Sequence, residues 1–491
     1  MRFLSSHRFR VYLCLALLLA VAFSCMDEQK FPTPAGSRLS FSVDTLSFDT
    51  VLSGIGTPTR SFMVYNSGSD GVSITGVAFD GGGSQGFRVN VDGVYINGNL
   101  TQSIDCRAKD SLRVFVELTP QAFDADEPIE TTAHLWFALA NGERQEVVLT
   151  AHCQSVIVLR ALHVSADTTF SVQRPYLVYD SLTVDEGVMF TVSEGVRFYF
   201  HHDAFLHVDG SLVAQGSLQR PIVFRGDRTD LMFASQPYDR VPGQWQGIRF
   251  SSSSYDNHMN YCDVHSGTFG LRLDSSSVER EKLRLENSVV HNMSGDCITA
   301  FSSRLFVGNS QISNAGGNCI TLYGGDTEFI HCTVAGFCPF YVMRGAALIY
   351  SNEYHNQPYP IHRLSVRNCI VTGYSEDEIF GNQSADFPQA AFNYYYQNSL
   401  LCTTPVSDDP LIVGCLWDNA KDLCREKNFP AFNLDELIYS FSLVSTSRAI
   451  GGADAQLSSI YYPFDRQGHP RLSDGMADMG CYEYVESTND R

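Results

Sequence analysis

The sequence predicts an all-β protein in two parts, an N-terminal antiparallel β-sandwich followed by a right-handed parallel β-helix. Residues 38–153 hold short runs of alternating apolar and polar residues, among them LSFSV, FRVNV and LRVFVEL. Further on, ENSVVHNMSGDCITAF begins at Glu286, GNSQISNAGGNCITLY begins 22 residues later, and seven of their sixteen aligned residues are identical. Short alternating runs indicate the strands of a sandwich, whereas a repeat of this length indicates a solenoid.

Residues 1–24 have the composition of an export signal. Three arginines precede an apolar run that ends at Phe23, and no acidic residue occurs before Asp27. Because the run is short for a membrane span, the sequence favours a cleaved signal over a transmembrane helix.

The signal ends in VAFSC, which resembles a bacterial lipobox. This resemblance implies that Cys25 is the cleavage site and carries a diacylglycerol anchor. Residues 25–37, polar and proline-containing, then form a flexible tether. The acids Asp27 and Glu28 resemble the surface-export signal of Bacteroidota lipoproteins and imply an outer-membrane protein that faces outward. An ordinary cleaved signal with an incidental cysteine is the alternative.

Residues 38–153 predict about seven strands at regular spacing, as in an antiparallel sandwich. The order of YNSGSDGVSITGVAF, GFRV and LRVFVELTP resembles the hydin-type immunoglobulin-like domains. That resemblance implies a fold and no particular function. In an oxidising compartment Cys106 and Cys153 could form a disulfide.

Residues 154–400 predict the coils of the β-helix. A small residue recurs at steps of 26, 22, 22 and 37 residues, and we expect one inward-facing column of Cys262, Ser288, Ser310, Cys332 and Cys369. Its neighbours Asn287, Asn309 and Asn368 predict a partial ladder of side-chain amides at a bend. A second column is expected through Cys297, Cys319 and Cys338. We interpret these cysteines as inert packing.

Residues 401–491 predict an irregular segment and a cap for the β-helix. The stretch PFDRQGHPRLSDGMADMGCYEY resembles the C-terminal ending of many secreted bacterial β-helix proteins. With the phrases PGQWQGIRF and VDGSLVAQG, the resemblance to Bacteroidota right-handed parallel β-helix lipoproteins spans about 156–484. It implies a structural cap built on Asp465, Arg471, Asp478 and Glu483, in which we expect Arg471 to pair with Asp465 or Asp478. The cluster Cys402, Cys415 and Cys424 could hold one disulfide, and a zinc site is less favoured because no CxxC pair or nearby histidine accompanies it.

Charge and composition restrict the function. The chain has 34 Lys and Arg against 54 Asp and Glu, which disfavours nucleic acid as a partner. Parallel β-helices often act on polysaccharides, with clustered acids and a basic residue in an exposed groove. Here Lys282 is the only lysine in 154–400, and no pair of adjacent aspartates occurs there. The sequence therefore predicts no catalytic residue, no metal and no cofactor.

Aromatic residues in two stretches are the candidates for ligand binding. Amphipathic rings suit stacking on sugars or contact with a protein partner, and packing against the solenoid wall is the alternative. The candidates are Tyr350, Tyr354, His355, Tyr359, Tyr394, Tyr395 and Tyr396.

Together these observations predict an outer-membrane lipoprotein, anchored through Cys25, whose β-helix presents a surface for binding or scaffolding of a glycan or a surface protein. A polysaccharide lyase or glycoside hydrolase with its site in the β-helix groove is the competing class. A purely structural surface-layer component is a third reading.

Overall fold

The computed structural model describes residues 30–80, 84–96, 103–171, 174–233, 235–418 and 427–486. Within these ranges the chain is nearly all β, and the predicted fold class is confirmed. One compact unit ends at Cys153, and a second contains the chain from Gln154 onward together with residues 124–127. No helix in the described part is long and apolar enough to cross a bilayer. Cys25 and Cys424 lie outside the described residues.

The first unit is a sandwich of two five-stranded antiparallel sheets. Its strands are β1 (Ser40–Phe41), β2 (Thr45–Leu52), β3 (Arg60–Asn66), β4 (Val72–Phe79), β5 (Phe87–Val91), β6 (Val94–Ile96), β7 (Ile104–Cys106), β8 (Asp110–Leu118), β9 (Ile129–Leu139) and β10 (Arg144–Gln154). The sheet orders are β1-β3-β8-β5-β6 and β2-β10-β9-β4-β7. Alternate residues of β9, such as Leu135 and Phe137, are fully buried, as expected for strands with one face on a core.

Cys106 and Cys153 are both free and buried, so the disulfide expected from the sequence does not form. Cys106 ends β7 and Cys153 lies in β10, and strands β4 and β9 separate these two in the sheet. Three strand spacings alone separate them by about 14 Å. The register separates them further, because Cys153 pairs with Ile129 at the start of β9, whereas Cys106 pairs with Val72 of β4, near the far end of β9. Both separations exceed the span of a disulfide.

The second unit is a parallel β-helix. Its first coils contain β11 (Ile157–Val164) and β13 (Tyr176–Val184), and later coils have three strands, which define three faces. Face A comprises β15 (Arg197–Phe200), β18 (Ile222–Gly226), β21 (Cys262–His265), β24 (Val289–Met293), β27 (Gln311–Ala315), β30 (Thr333–Gly336), β35 (Ile370–Gly373), β38 (Leu400–Cys402) and β40 (Leu416–Asp418). Face B comprises β16 (Phe205–Val208), β19 (Gly247–Phe250), β22 (Leu271–Leu273), β25 (Ile298–Phe301), β28 (Ile320–Tyr323), β31 (Leu348–Ser351) and β36 (Ile379–Asn382).

Face C comprises β12 (Thr168–Phe170), β14 (Met189–Ser193), β17 (Ser211–Gln215), β20 (Asn257–Asn260), β23 (Glu281–Glu286), β26 (Arg304–Gly308), β29 (Gly325–Ile330), β34 (Ile361–Arg367), β37 (Phe392–Gln397) and β39 (Ile412–Val413). Faces A and B, with β11 and β13, belong to one 18-stranded sheet, and face C is a 10-stranded sheet. A hairpin of β32 (Glu353–Tyr354) and β33 (Gln357–Pro358) projects between β31 and β34, and the helix α1 (Ala455–Tyr461) follows the coils.

The turn from face C to face A explains the repeated sequence. From β20 onward, one residue with positive φ makes this turn in each coil, including Asn287 at 50° and Asn309 at 49°. Asparagine tolerates this left-handed conformation better than most residues do. The ladder is present: Asn309 donates to Asn287 at 2.7 Å, and Asn287 donates to Asn260 at 2.8 Å. His331 takes the turn position between Asn309 and Asn368 and interrupts the ladder.

The small-residue column is confirmed, and hydrogen bonding accounts for it. The backbone N–H of Cys262 donates to Ser288 Oγ at 2.9 Å, and that of Ser288 donates to Ser310 Oγ at 3.0 Å. A thiol serves the same purpose in the next coils, where the N–H of Cys332 donates to Cys369 Sγ at 3.3 Å. The column thus satisfies backbone groups between coils.

The second column is partly wrong. Pairing of Ile298 with Ile320 and of Ile320 with Leu348 places Cys297 and Cys319 in line with Ala347. Cys338 therefore does not take the third place. The insertion before β31 displaced the register that the sequence spacing suggested.

The last described residues, 427–486, form a segment that we call the strap. It lies along face A and the corner between faces C and A, and it also contacts the last strand, where Arg448 donates to the carbonyl of Trp417. Tyr482 Oη donates to Gln311 on β27, and the N–H of Gly480 donates to the carbonyl of Asn368. The strap also buries outward apolar residues of face A, such as Ile370 and Leu400, against Phe441. Outward apolar residues on successive coils require such a cover.

Candidate functional site

Outward side chains of face B form one candidate surface. Phe301 ends β25 and Tyr323 ends β28, and parallel pairing aligns them on successive coils. Their rings stack with centroids 5.2 Å apart and planes inclined by 20°. The Arg272 guanidinium lies 5.3 Å from the centroid of Phe301. Face B therefore carries a pair of stacked aromatic rings with a guanidinium group in cation–π contact with one of them.

The β32–β33 hairpin adds three of the predicted residues to this surface. The ring of Tyr354 lies 4.4 Å from that of Tyr323 and 5.1 Å from that of Phe301. Tyr359 meets Tyr354 edge to face at 6.0 Å, and the exposed His355 contacts Tyr354 at 4.2 Å. We call Phe301, Tyr323, Tyr354, His355 and Tyr359 the aromatic cluster.

The other predicted residues lie elsewhere. Tyr350 and Tyr396 point into the bore of the β-helix and are 6% and 3% exposed, which removes them from ligand contact. Tyr394 Oη donates to Asp409 at 2.6 Å, and this bond raises the pKa of Tyr394 to about 12. Tyr395 alternates with these two and lies half-buried on the outer side of face C. The packing reading is therefore correct for Tyr350 and Tyr396.

Two carboxylates accompany the aromatic cluster, and both have partners within the chain. Asp274 accepts hydrogen bonds from Arg249 at 2.7 Å and from Arg272 at 3.4 Å. Asp296 accepts from the hydroxyls of Thr299 and Thr321, at 3.0 and 2.6 Å. These bonds keep both carboxylates oriented along face B.

A second cluster lies on the outer side of face A, where the sequence suggested no site. Asp263 and His265 are alternate residues of β21, and pairing with β24 places His291 directly beside His265. Asp263 Oδ1 is 2.9 Å from His265 Nδ1 and 3.1 Å from His291 Nε2. The two imidazole centroids are 4.9 Å apart. Burial would raise the pKa of Asp263, but the two histidines lower it well below its ordinary value.

Charged groups border this cluster on both sides. Arg225, on the preceding coil, pairs with Asp239 at 3.2 Å. Arg466 of the strap is half-buried, and its charge acts on Asp263. A cavity of about 150 Å³ opens beside His291, lined by Arg240, Gln311, Ser313 and other residues.

A signal for this cluster was present in the sequence. His265 and His291 are separated by 26 residues, the same step that separates Cys262 from Ser288. Each histidine follows the small-residue column by three positions, so the two must stack on successive coils. Asp263, two positions before His265, shares its face.

Two buried ionisable side chains lie near the coil corners. Lys282 is fully buried, and its ammonium group donates to the carbonyls of Ser251 and Ser254 at 2.6 and 3.1 Å. Burial lowers the pKa of Lys282 to about 8. Glu378 is 1% exposed, and burial raises its pKa to about 7. Both anchor backbone groups, which indicates structural roles.

The four residues of the predicted cap lie together in the strap and are buried. Arg471 forms an ion pair with Glu483, not with Asp465 or Asp478. Those two aspartates instead accept hydrogen bonds from strap backbone N–H groups.

Comparison with known proteins gives little further guidance. No family model matches the chain, and no curated protein matches it. Among solved structures, PapD-like domain 7 of human CEP192 is 11% identical with a TM-score of 0.18, covering 26% of this chain and 96% of that one. The catalytic unit of the thermostable GH87 alpha-1,3-glucanase from Streptomyces thermodiastaticus strain HF3-3 is 11% identical with a TM-score of 0.26, covering 73% of this chain and 89% of that one. Similarity this slight does not bear on function.

Proposed function

We propose that this protein is a cell-envelope lipoprotein that binds glycan along face B of its β-helix. In this proposal Cys25 holds the protein in the outer membrane, residues 25–37 form the tether, and the β-helix faces outward. The sequence VAFSC and the acids behind it support the location.

The aromatic cluster carries the proposal for glycan binding. Sugar rings are recognised by aromatic faces and edges that stack on their C–H groups, together with a few oriented polar groups. Face B offers Tyr354 and Tyr359 on and beside a projecting hairpin, and Arg272 and Asp274 on the coil that precedes Phe301. Because the strands stack in parallel, Phe301 and Tyr323 lie in line on successive coils, which suits contact with neighbouring units of a glycan chain.

The partners of the carboxylates favour binding over hydrolysis. Glycosidases need one carboxyl group as an acid and a second as a base or nucleophile. Asp274 is held between two guanidinium groups, and Asp296 between two threonine hydroxyls. Both carboxylates are therefore engaged by side chains of the protein itself, which does not suit an acid–base pair that must act on a substrate.

Affinity electrophoresis of the purified protein through gels containing neutral or acidic polysaccharides tests this function. We expect retardation by at least one polysaccharide, and loss of most of it in Tyr354→Ala. Tyr354 lies on the hairpin, so its truncation leaves the coils intact. The matched control is Tyr95→Ala, since Tyr95 is 54% exposed on the sandwich and should not contribute.

The same gels distinguish the competing class. Release of unsaturated or reducing sugars by the wild-type protein would replace the binding proposal with a lyase or hydrolase. Absence of retardation on every polysaccharide, or equal retardation of Tyr354→Ala and wild type, would remove the aromatic cluster as the glycan site.

A further inference from the structure

We propose that Asp263, His265 and His291 bind a divalent transition-metal ion on the outer side of face A. This inference is separate from glycan binding, since the cluster lies on another face of the β-helix. It rests on the geometry of the three side chains, on the chemistry of their donor atoms and on their access to solvent.

The backbone brings the ligands together without a loop. Parallel pairing sets His265 of β21 beside His291 of β24, and Asp263 lies on the same side of β21. Trp245 Nε1 donates to the carbonyl of His265 at 2.8 Å and holds the end of β21. A site on two adjacent strands is more rigid than one on loops, which favours a defined ligand geometry.

The distances suit a small ion. The three candidate ligand atoms lie within 4.8 Å of one another. Asp263 Oδ1 is 2.9 Å from His265 Nδ1 and 3.1 Å from His291 Nε2. In a tetrahedral site with bonds of about 2.0 to 2.1 Å, neighbouring ligand atoms are roughly 3.4 Å apart. An ion therefore fits between the three side chains after shifts of less than about 1 Å.

The donor set selects the class of metal. Two imidazole nitrogens with one carboxylate oxygen suit Zn²⁺, Co²⁺ or Ni²⁺, whereas Ca²⁺ and Mg²⁺ require mostly oxygen ligands. The Asp263 and His291 side chains are 33% and 19% exposed, and that of His265 is 7% exposed. The ion would thus be held on its inner side and open to water on its outer side, leaving a fourth position for solvent.

Nearby positive charges limit the affinity without excluding the ion. Asp239 offsets the charge of Arg225 at 3.2 Å. Arg466 acts on Asp263 from the strap, so a metal ion must compete with it for this carboxylate. We expect binding weaker than that of a closed structural zinc site, and readily reversed by a chelator.

Titration of the full chain, purified without a histidine tag and treated with chelator, tests the site. Co²⁺ is the probe, because His and carboxylate ligands in low coordination give it visible absorption bands. We expect one saturable equivalent, displaced by Zn²⁺. The variants H265Q and H291Q should each weaken binding at least about tenfold, since each removes one of three protein ligands.

The matched control is H258Q. His258 also bonds a carboxylate, Glu286 at 2.9 Å, but lies on face C without a third ligand. The H258Q variant should bind Co²⁺ with the same affinity as the wild type. Melting curves in chelator show whether each variant is folded. The variant Asp263→Asn removes the third proposed ligand and is measured in the same way. The proposal is overturned if the wild type shows no saturable absorption, or if folded H265Q, H291Q and Asp263→Asn all bind as tightly as H258Q.

Discussion

Arg471 and Glu483 form an ion pair that is buried within the strap, and Arg471 also donates to Asn309 Oδ1 at 2.6 Å at the corner of a coil. Arg471 is 0% exposed. The Arg471 guanidinium therefore links Glu483 of the strap to Asn309 of the asparagine ladder. This relationship explains why a residue of the C-terminal motif matters to coils that precede it by 162 positions.

Replacement of Arg471 by methionine should destabilise the protein strongly. It leaves the Glu483 carboxylate buried without its partner, and breaking such a buried pair costs about 3–5 kcal/mol. The melting temperature should fall by several degrees. The control Arg220→Met breaks the Arg220–Glu194 pair, whose side chains are 53% and 44% exposed, and should cost about 0–1 kcal/mol. Equal melting temperatures for the two variants would contradict the structural role of Arg471.

Gly308 should not tolerate a side chain, because the strap lies directly against it. A Cβ at this position would come within 1.8 Å of Tyr462 Oη. Gly308→Ala should displace Tyr462, break its 2.6 Å bond to Glu286 and loosen the strap. Limited proteolysis measures this as faster cleavage after about residue 427. Gly76→Ala, where the nearest atom is 3.5 Å away, is the control, and unchanged cleavage in Gly308→Ala would refute the contact.

The sequence predicts the features that recur in every coil, but it does not predict the path of the non-repeating strap. Asn287, Asn309 and the residues after them recur because every coil needs the same tight turn and the same satisfied N–H, so their spacing was readable. The path of the strap is set by contacts such as Tyr482 with Gln311, across 171 residues, which no periodicity reports.

The candidate sites were also only partly predictable from the sequence. Tyr350 and Tyr354 are four residues apart in one aromatic stretch, yet Tyr350 fills the bore and the half-buried Tyr354 joins the aromatic cluster on the outer side of face B. Composition alone did not separate them. The side on which a residue lies depends on the strand register, and the insertion before β31 obscured that register. The histidine pair was readable from its 26-residue step once the coils were aligned.

Reducing agents should leave the stability unchanged, because Cys106, Cys153 and the cysteines of the two columns form no disulfide. Burial raises the pKa of the Cys297 and Cys332 thiols well above the ordinary value, so these groups remain protonated and unreactive. A thiol reagent should label the native protein slowly, with the half-buried Cys415 first, and the denatured protein fast. A drop in melting temperature with dithiothreitol would show a disulfide and contradict this prediction.

Replacement of Cys25 by alanine should release the protein from the membrane. In the proposed lipoprotein this cysteine is the attachment point, so its removal takes away the lipid. We expect labelled palmitate in the wild type and none in Cys25→Ala, with the variant shifted from the membrane fraction to the supernatant. Cys14→Ala, within the predicted signal, is the control. Membrane retention of unlabelled Cys25→Ala would rule out the lipid anchor.

Glu378 should make the protein less stable as the pH rises from about 4.5 towards neutrality. Its carboxylate is packed against Gly336 and Gly373, where a Cβ on Gly373 would lie 2.1 Å from Oε1, and it accepts backbone N–H bonds from Ala347 and Ser375. Burial outweighs these bonds and raises the pKa to about 7, against about 4.5 in the unfolded chain. Between these two values the folded state binds a proton that the unfolded state has lost, so stability is highest below pH 4.5 for this group and declines up to about pH 7, by at most roughly 3 kcal/mol.

Glu378→Gln isolates that contribution, because the amide has nearly the same shape and does not titrate. The difference in melting temperature between variant and wild type should widen in favour of the variant from pH 5 to pH 7.5. Glu376→Gln, at an exposed neighbouring position, should follow the wild type across the range. A constant difference across pH would mean that the Glu378 carboxylate is already ionised at pH 5, held by Ala347 and Ser375. A difference that widens in favour of the wild type would reverse the sign of the coupling.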